Sequence, residues 1–345
     1  MFKYIGKRIL MMIPVVLGIS FIIFTILALT PGDPAQMILG ENASLEAIEE
    51  LREEMGLNEN FLFRYVKYIG GAVTFHFGDS YRTGLPVVEE ILTRLPNTLA
   101  LAFFGIGLSV VIGVPIGIVS AVKQYSVFDT VSLGLALIMT SIPAFWLGLM
   151  LLLLFALKLG WFPAIGITDW TGFILPSVTL AIGSMATMIR MTRSTMLEVI
   201  REDYIRTARA KGAGEGRIIR RHELRNALLP IITIIGINFG LQMGGAMICE
   251  TVFSIPGMGS LMITSVRQKD VPMVMASVLF VAVAISLINL LIDIPVSYTH
   301  LVVSRLQSLS FDYKFQVRAS SLTQSGHRSS PFSLNALRSS VSHRR

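Results

Sequence analysis

The run ILMMIPVVLGISFIIFTILAL, residues 9–29, carries no ionisable side chain, and it decides the class of fold. Its 21 residues, at about 1.5 Å each along a helix, cover roughly 30 Å, the hydrocarbon thickness of a bilayer. In that medium every backbone N–H and C=O must be satisfied inside the segment, which a helix achieves alone. Lys3, Lys7 and Arg8 precede the run, as they would in a secretory leader. The run is long, however, and no Ala-x-Ala site follows, so it reads as a membrane anchor.

Comparable windows recur at 98–122, 130–157, 172–191, 230–248 and 273–295, giving an expected all-α protein of six transmembrane helices. Composition agrees: 53% of the 345 residues are hydrophobic, 15% are charged, and the mean hydropathy is +0.67. The net charge of +7 does not point to nucleic acid, because the basic residues cluster beside apolar runs, where they set topology. Ten basic residues lie between Arg190 and Arg225, and this segment and both termini are expected in the cytoplasm. Residues 30–96 then lie outside, with eleven acidic residues against five basic ones.

That segment is expected to form a helical extracytoplasmic cap. Leu45, Ile48, Leu51 and Met55 recur at helical spacing after Ser44, an N-cap residue, and Gly56 is placed to end the helix. Phe61, Tyr65, Tyr68, Ile69 and Ala72 predict a second helix, and Val87, Val88, Ile91 and Leu95 a third. The cap is either a packed lid or a surface with ligand contacts.

Within the spans, Gly105, Ser109, Gly113 and Gly117 share one helix face, as do Gly236, Gly240 and Gly244. Such ridges let helices approach closely, within one subunit or between two. Pro115, Pro143 and Pro176 are expected to kink or break their spans. Ionisable residues are nearly missing from the interior, Arg190 and Asp293 lying near span ends, which disfavours an ion-coupled carrier.

Catalytic patterns are missing as well. No Gly-Lys-Ser/Thr follows Gly212, Gly214 and Gly216, and neither His-Glu-x-x-His nor Gly-x-Ser-x-Gly occurs. Ser120-Ala-Val-Lys123 matches Ser-x-x-Lys without its companion motifs and is read as chance. His76, His222, His300, His327 and His343 share no ligand spacing, so no metal is expected, and the lone Cys249 has no disulfide partner.

The most informative stretch is 196–230, with Asp203-Tyr-Ile-Arg-Thr-Ala-Arg-Ala-Lys-Gly212 at its centre and Arg225-Asn-Ala-Leu-Leu-Pro230 at its end. Leu197, Ile200, Tyr204 and Ala208 are expected on one face of a helix that Gly212 stops in a left-handed turn. Ile218, Ile219 and His222 suggest a second short helix before Pro230 opens span five. Read from the residues alone, a basic amphipathic helix of this kind suits anionic lipid.

The wording resembles the cytoplasmic "EAA" loop of ABC importer permeases of the dipeptide/oligopeptide/nickel family. Arg206, Thr207 and Ala208 stand where the general motif has Glu-Ala-Ala, with Gly212 as its glycine. Thr30-Pro-Gly-Asp-Pro34, Phe77-Gly-Asp-Ser80, Arg94-Leu-Pro-x-Thr98, Ser141-Ile-Pro-Ala-Phe-Trp146, Leu175-Pro-Ser177 and Glu250-Thr-Val-Phe-Ser-Ile-Pro-Gly-Met-Gly259 are also similar to family signatures. The resemblance implies a non-catalytic subunit in the bacterial plasma membrane. It pairs with a homologous second permease, two ABC ATPase subunits and an extracytoplasmic solute-binding protein, in contact with membrane lipid but no nucleic acid. No cofactor is implied on this chain, ATP being bound by the ATPases. Asp203, Tyr204, Arg206, Thr207, Ala208, Lys211, Gly212, Arg225, Asn226 and Pro230 would form the ATPase-coupling loop, and Arg201, Arg206, Arg209 and Lys211 could pair with acids on the ATPase. The implied substrate is a di- or oligopeptide, with nickel or another small solute as the family alternative and an ATP-independent carrier as the alternative class.

From Ser297 onward the sequence leaves the family pattern. Thirteen serines, seven Lys or Arg residues and one acid cannot build a core, so a disordered tail is expected, either non-native sequence or a basic cytoplasmic extension.

Overall fold

The computed structural model describes residues 2–40 and 42–292. Asp293 and the tail lie outside the described residues. Helix α1 (Phe2–Leu29) is followed by α2 (Pro34–Leu39), α3 (Leu45–Glu54) and α4 (Phe61–Val73). Then come α5 (Val87–Val122), α6 (Val127–Ser141), α7 (Ala144–Leu151) and a π-helical turn, Leu152–Lys158. Helix α8 (Ile174–Ile200) leads into α9 (Asp203–Ala210), α10 (Glu215–Ile218), a π turn (Ile219–Glu223) and α11 (Leu224–Val252). Helices α12 (Met258–Arg267) and α13 (Val271–Ile292) complete the described chain. Among the described residues, five helical segments are long and apolar enough to cross a membrane, or six if the bent pair α6–α7 counts as one span.

The short helices follow their caps. Ser44 Oγ accepts from Ala47 N at 3.2 Å to start α3, and Gly56 sits at φ +66° beyond its end, as the sequence predicts. Asn60 Oδ1 accepts from Leu62 N at 3.0 Å to start α4. Each cap contributes about 1 kcal/mol by satisfying a donor the helix leaves unpaired.

Several expectations need correction. The third external helix is not separate: Val87, Val88, Ile91 and Leu95 form the first turns of the 36-residue α5. Span three, by contrast, breaks as expected, turning by 95° between α6 and α7. Pro143 causes this, lying at the N-cap of α7 with Ile142 extended before it. Pro115 lies inside α5, which continues through it, and Pro176 is the third residue of α8, where a missing N–H costs nothing. Pro230 does not open span five either, because helix runs from Glu215 to Val252 through it, with the π turn upstream.

The core is built on α5 and α8, lying side by side. A Cβ on Gly117 would stand 2.8 Å from the Ile189 carbonyl, and one on Gly113 would stand 3.0 Å from that of Met185, so only glycine permits this approach. Gly105 faces Leu180 and Gln242, Gly236 faces Ile292, and Gly240 faces Ile285. Gly244 opens onto empty space instead, so the second ridge packs over only part of its length within this chain.

Among the described residues, three tertiary clasps bury carboxylates at or just beyond the ends of spans. Asp129 receives a bidentate pair from Arg193 at 2.6 and 2.8 Å and a hydrogen bond from Ser120 Oγ at 2.5 Å, joining α5, α6 and α8. Ser120 is thus a structural donor. Glu250, fully buried, accepts from Thr98 Oγ1 at 2.5 Å and from Ser260 N at 2.9 Å, while Thr98 Oγ1 accepts from Met258 N at 2.8 Å. A Cβ on Gly257 would stand 2.2 Å from the Glu250 carboxyl carbon, which accounts for glycine there. Asp270 accepts from Ser80 Oγ at 2.5 Å and from Tyr81 N at 3.2 Å, anchoring the Phe77-Gly-Asp-Ser80 loop to the start of α13. Glu250→Ala would strand the Ser260 amide and the Thr98 hydroxyl in a dry site, and is expected to destabilise the protein by about 2 kcal/mol. Thermal unfolding in detergent would read this as a lowered midpoint, with Glu250→Gln losing less.

Candidate functional site

The segment between α8 and α11 folds into short helices, α9 and α10 with the π turn, joined at Gly212. Helix α8 stops at Arg201, and Glu202 turns extended (ψ 144°) before α9 begins at Asp203. Leu197 and Ile200 therefore do not continue one face with Tyr204 and Ala208. On α9 the buried side chain is Ile205, fully enclosed, while Tyr204 is exposed and Ala208 half-buried. An eight-residue helix after a break has its own phase, and spacing carried across the break misses it.

Gly212 ends α9 as the sequence predicts. It sits at φ +81°, Ala213 N donates to the Ala208 carbonyl at 3.2 Å, and Gly212 N donates to that of Arg209 at 2.9 Å. This hydrogen-bond pair is the Schellman closure, and it needs the left-handed residue that glycine supplies without strain.

Two polar ties fix the angle between α9 and the helix beginning at Glu215. Asn226 Nδ2 donates to the Tyr204 hydroxyl at 3.0 Å and to the His222 carbonyl at 2.8 Å. Burial pushes the Tyr204 phenol pKa upward, only partly offset by the Asn226 hydrogen bond. Arg209 donates to Glu215 at 2.8 and 3.2 Å and to the buried Glu223 at 3.3 Å. The hydrogen bond to Glu215 holds the guanidinium pKa above its ordinary value.

Arg209, expected to face a partner, is therefore engaged inside the loop. Arg201, Arg206 and Lys211 remain exposed, Arg206 lying 4.0 Å from an equally exposed Asp203. Thr207 Oγ1 donates to the Asp203 carbonyl at 2.9 Å. Arg225 and Pro230 are exposed on α11. The structure thus joins Tyr204 with Asn226, and adds Ile205, Glu215 and Glu223, which the motif does not single out. The Arg209–Glu215 spacing of six residues gave no helical signal because a turn intervenes.

Arg209→Ala would leave Glu223 buried without this guanidinium. Amide exchange across Asp203–Ala210 is expected to speed about tenfold, and Glu223→Gln in the same chain is expected to restore part of the protection. Exchange monitored by mass spectrometry checks this, and unchanged protection would mean that Arg209 does not tie the loop.

Residues 113–300 match the family described as binding-protein-dependent transport system inner membrane component, and residues 1–102 match its N-terminal companion. A dipeptide transport system permease protein of Alkalihalophilus pseudofirmus is 42% identical, over 86% of this chain and 98% of that one. A glutathione transport system permease protein of Escherichia coli K12 is 38% identical, over 85% of this chain and 96% of that one. Among solved structures, the inward-facing MetNI methionine ABC transporter has a similar fold. Its TM-score is 0.52 at 23% identity, covering 61% of this chain and 96% of that one. These matches, with the apolar helices, make the protein a multi-pass inner-membrane component of a transport system. The chain belongs to the binding-protein-dependent ABC importer permeases of the peptide-transport family.

Proposed function

We propose that this chain lines part of the translocation pathway of an ATP-driven importer of di- or oligopeptides. The carrying observation is 42% identity along 98% of a dipeptide permease. In this reading α6 and α7 form one bent span, giving six spans with both termini cytoplasmic, and residues 30–96 belong to the opposite side. A homologous permease completes the pathway, two ATPase subunits bind and hydrolyse ATP, and a solute-binding protein delivers substrate.

Coupling would run through α9. Its exposed polar face, Arg206, Thr207 and Lys211, meets the ATPase, while Ile205, Arg209 and the Tyr204–Asn226 bond carry displacement into α11. A short helix locked at its end by Gly212 transmits motion instead of absorbing it.

The test is uptake of labelled dipeptide and of nickel by cells expressing the chain with its partner subunits, with and without an ATPase-dead partner. ATP-dependent peptide uptake is expected. Nickel uptake alone would overturn the substrate class, and uptake indifferent to the dead ATPase would overturn the coupling.

A further inference from the structure

Helix α4, expected in a water-facing cap, carries apolar residues on the side away from the protein. Leu62, Phe63, Val66, Val73 and Phe75 just beyond its end are all more than half exposed. The surface it packs against shows where it lies. The Tyr65 hydroxyl donates to the Leu17 carbonyl at 3.0 Å and lies 2.9 Å from Ser20 Oγ, and Phe61 and Tyr65 pack on Phe21 and Phe24. All of these α1 residues lie within the uncharged 9–29 run. Leu17 is roughly 18 Å from the Leu29 end, about halfway through a 30 Å hydrocarbon layer.

Helix α13 gives an independent ruler. Val73 and Phe75 line an apolar groove of about 230 Å³ with Leu17, Phe280 and Val283, and Val283 is roughly 18 Å from the start of α13.

From this we infer that α4 and the turn after it form a re-entrant segment dipping into the leaflet at the C-terminal end of α1, with Leu62, Phe63, Val66, Val73 and Phe75 against lipid acyl chains. Helix α1 likewise exposes apolar side chains along its uncharged run, among them Ile19 and Ile22. The cations of α4 reach back toward water: Lys67 Nζ lies 3.2 Å from Glu59, which precedes the helix, and Arg64 Nη1 donates to the Leu57 carbonyl at 3.3 Å.

The tip closes its own hydrogen bonds, as lipid demands. Thr74 N donates to Gly71 O at 3.0 Å, Phe75 N to Ala72 O at 3.1 Å and His76 N to Gly71 O at 2.8 Å. A Cβ on Gly71 would come 2.5 Å from the His76 carbonyl. Phe75 takes the left-handed position (φ 59°) usually given to glycine, which puts a largely exposed ring at the deepest point.

The test is spin labelling of the full chain, assembled with its partner subunits in phosphatidylethanolamine/phosphatidylglycerol nanodiscs, in a Cys249→Ala background. Labels at Val66→Cys, Val73→Cys and Phe75→Cys should match one at Ile22→Cys. Their oxygen-to-nickel-chelate accessibility ratio should be roughly tenfold above that at the water-exposed Glu53→Cys. A ratio like that of Glu53→Cys would overturn the proposal in favour of a solvated cap. Low accessibility to both reagents would overturn it in favour of a protein partner on this face. Hydroxyl-radical footprinting of the unsubstituted assembly reads the same question without a variant: Phe63 and Phe75 should stay unoxidised in lipid, and their oxidation would count against burial.

Discussion

Gly212→Glu is expected to reduce uptake at least about tenfold while the chain still inserts at normal abundance. The residue sits at φ +81°, where any L side chain costs about 1–2 kcal/mol. Space does not limit the substitution, since a Cβ there has no neighbour within 4 Å. The new carboxylate would stand at the C-terminal end of α9, beside the negative end of the helix dipole. Both effects loosen the closure that makes α9 rigid, and a barrier raised by about 1.4 kcal/mol already slows a step tenfold. Gly212→Ala meets only the backbone term and should fall between wild type and Gly212→Glu. Uptake normalised to membrane abundance measures the series, and wild-type uptake by Gly212→Glu would refute α9 as the coupling element.

The second large effect is on stability. Asp129→Ala should destabilise the protein by about 3 kcal/mol, because it leaves the Arg193 guanidinium, 19% exposed, without its bidentate partner and frees the Ser120 hydroxyl. Removing both charges is a different experiment. The Asp129→Leu/Arg193→Met double variant has no buried charge left to strand, so it should recover most of the loss. Thermal midpoints of the purified chain in detergent compare the three forms. Equal losses in single and double variants would show that the site needs the charges themselves.

Much of the helical architecture was legible in the sequence because it rests on local chemistry. Ser44 and Gly56 bracket α3, the periodicity of Phe61, Tyr65, Tyr68 and Ala72 gives α4, and Gly212 stops α9. Pro143 announced a break within 130–157, but hydropathy windows locate apolar length and not direction, so the size of the turn, 95°, had no sequence signal. The contact of α4 with α1 was equally illegible, because it joins residues 45 to 48 positions apart.

The candidate site was legible where a motif names it and opaque where packing decides. Gly212 and the Tyr204–Asn226 pair fall within the quoted stretch, but Ile205 and Glu223 are buried by the break at Glu202 and the π turn, which no periodicity announces. Glu250 looked like part of a signature. Its function as an acceptor for Thr98 emerges only in three dimensions.

The reach of that clasp bears on how the protein is made. Thr98 and Glu250 are 152 residues apart, so at about 5–20 residues per second a ribosome adds Thr98 roughly 8–30 s before Glu250 exists to receive its hydroxyl. Ser80 waits longer for Asp270, 190 residues downstream. The nascent chain therefore holds its early spans in the bilayer with polar groups unsatisfied. A ribosome that stalls before α12 leaves a product without the Met258 and Ser260 amides that complete the Thr98–Glu250 clasp.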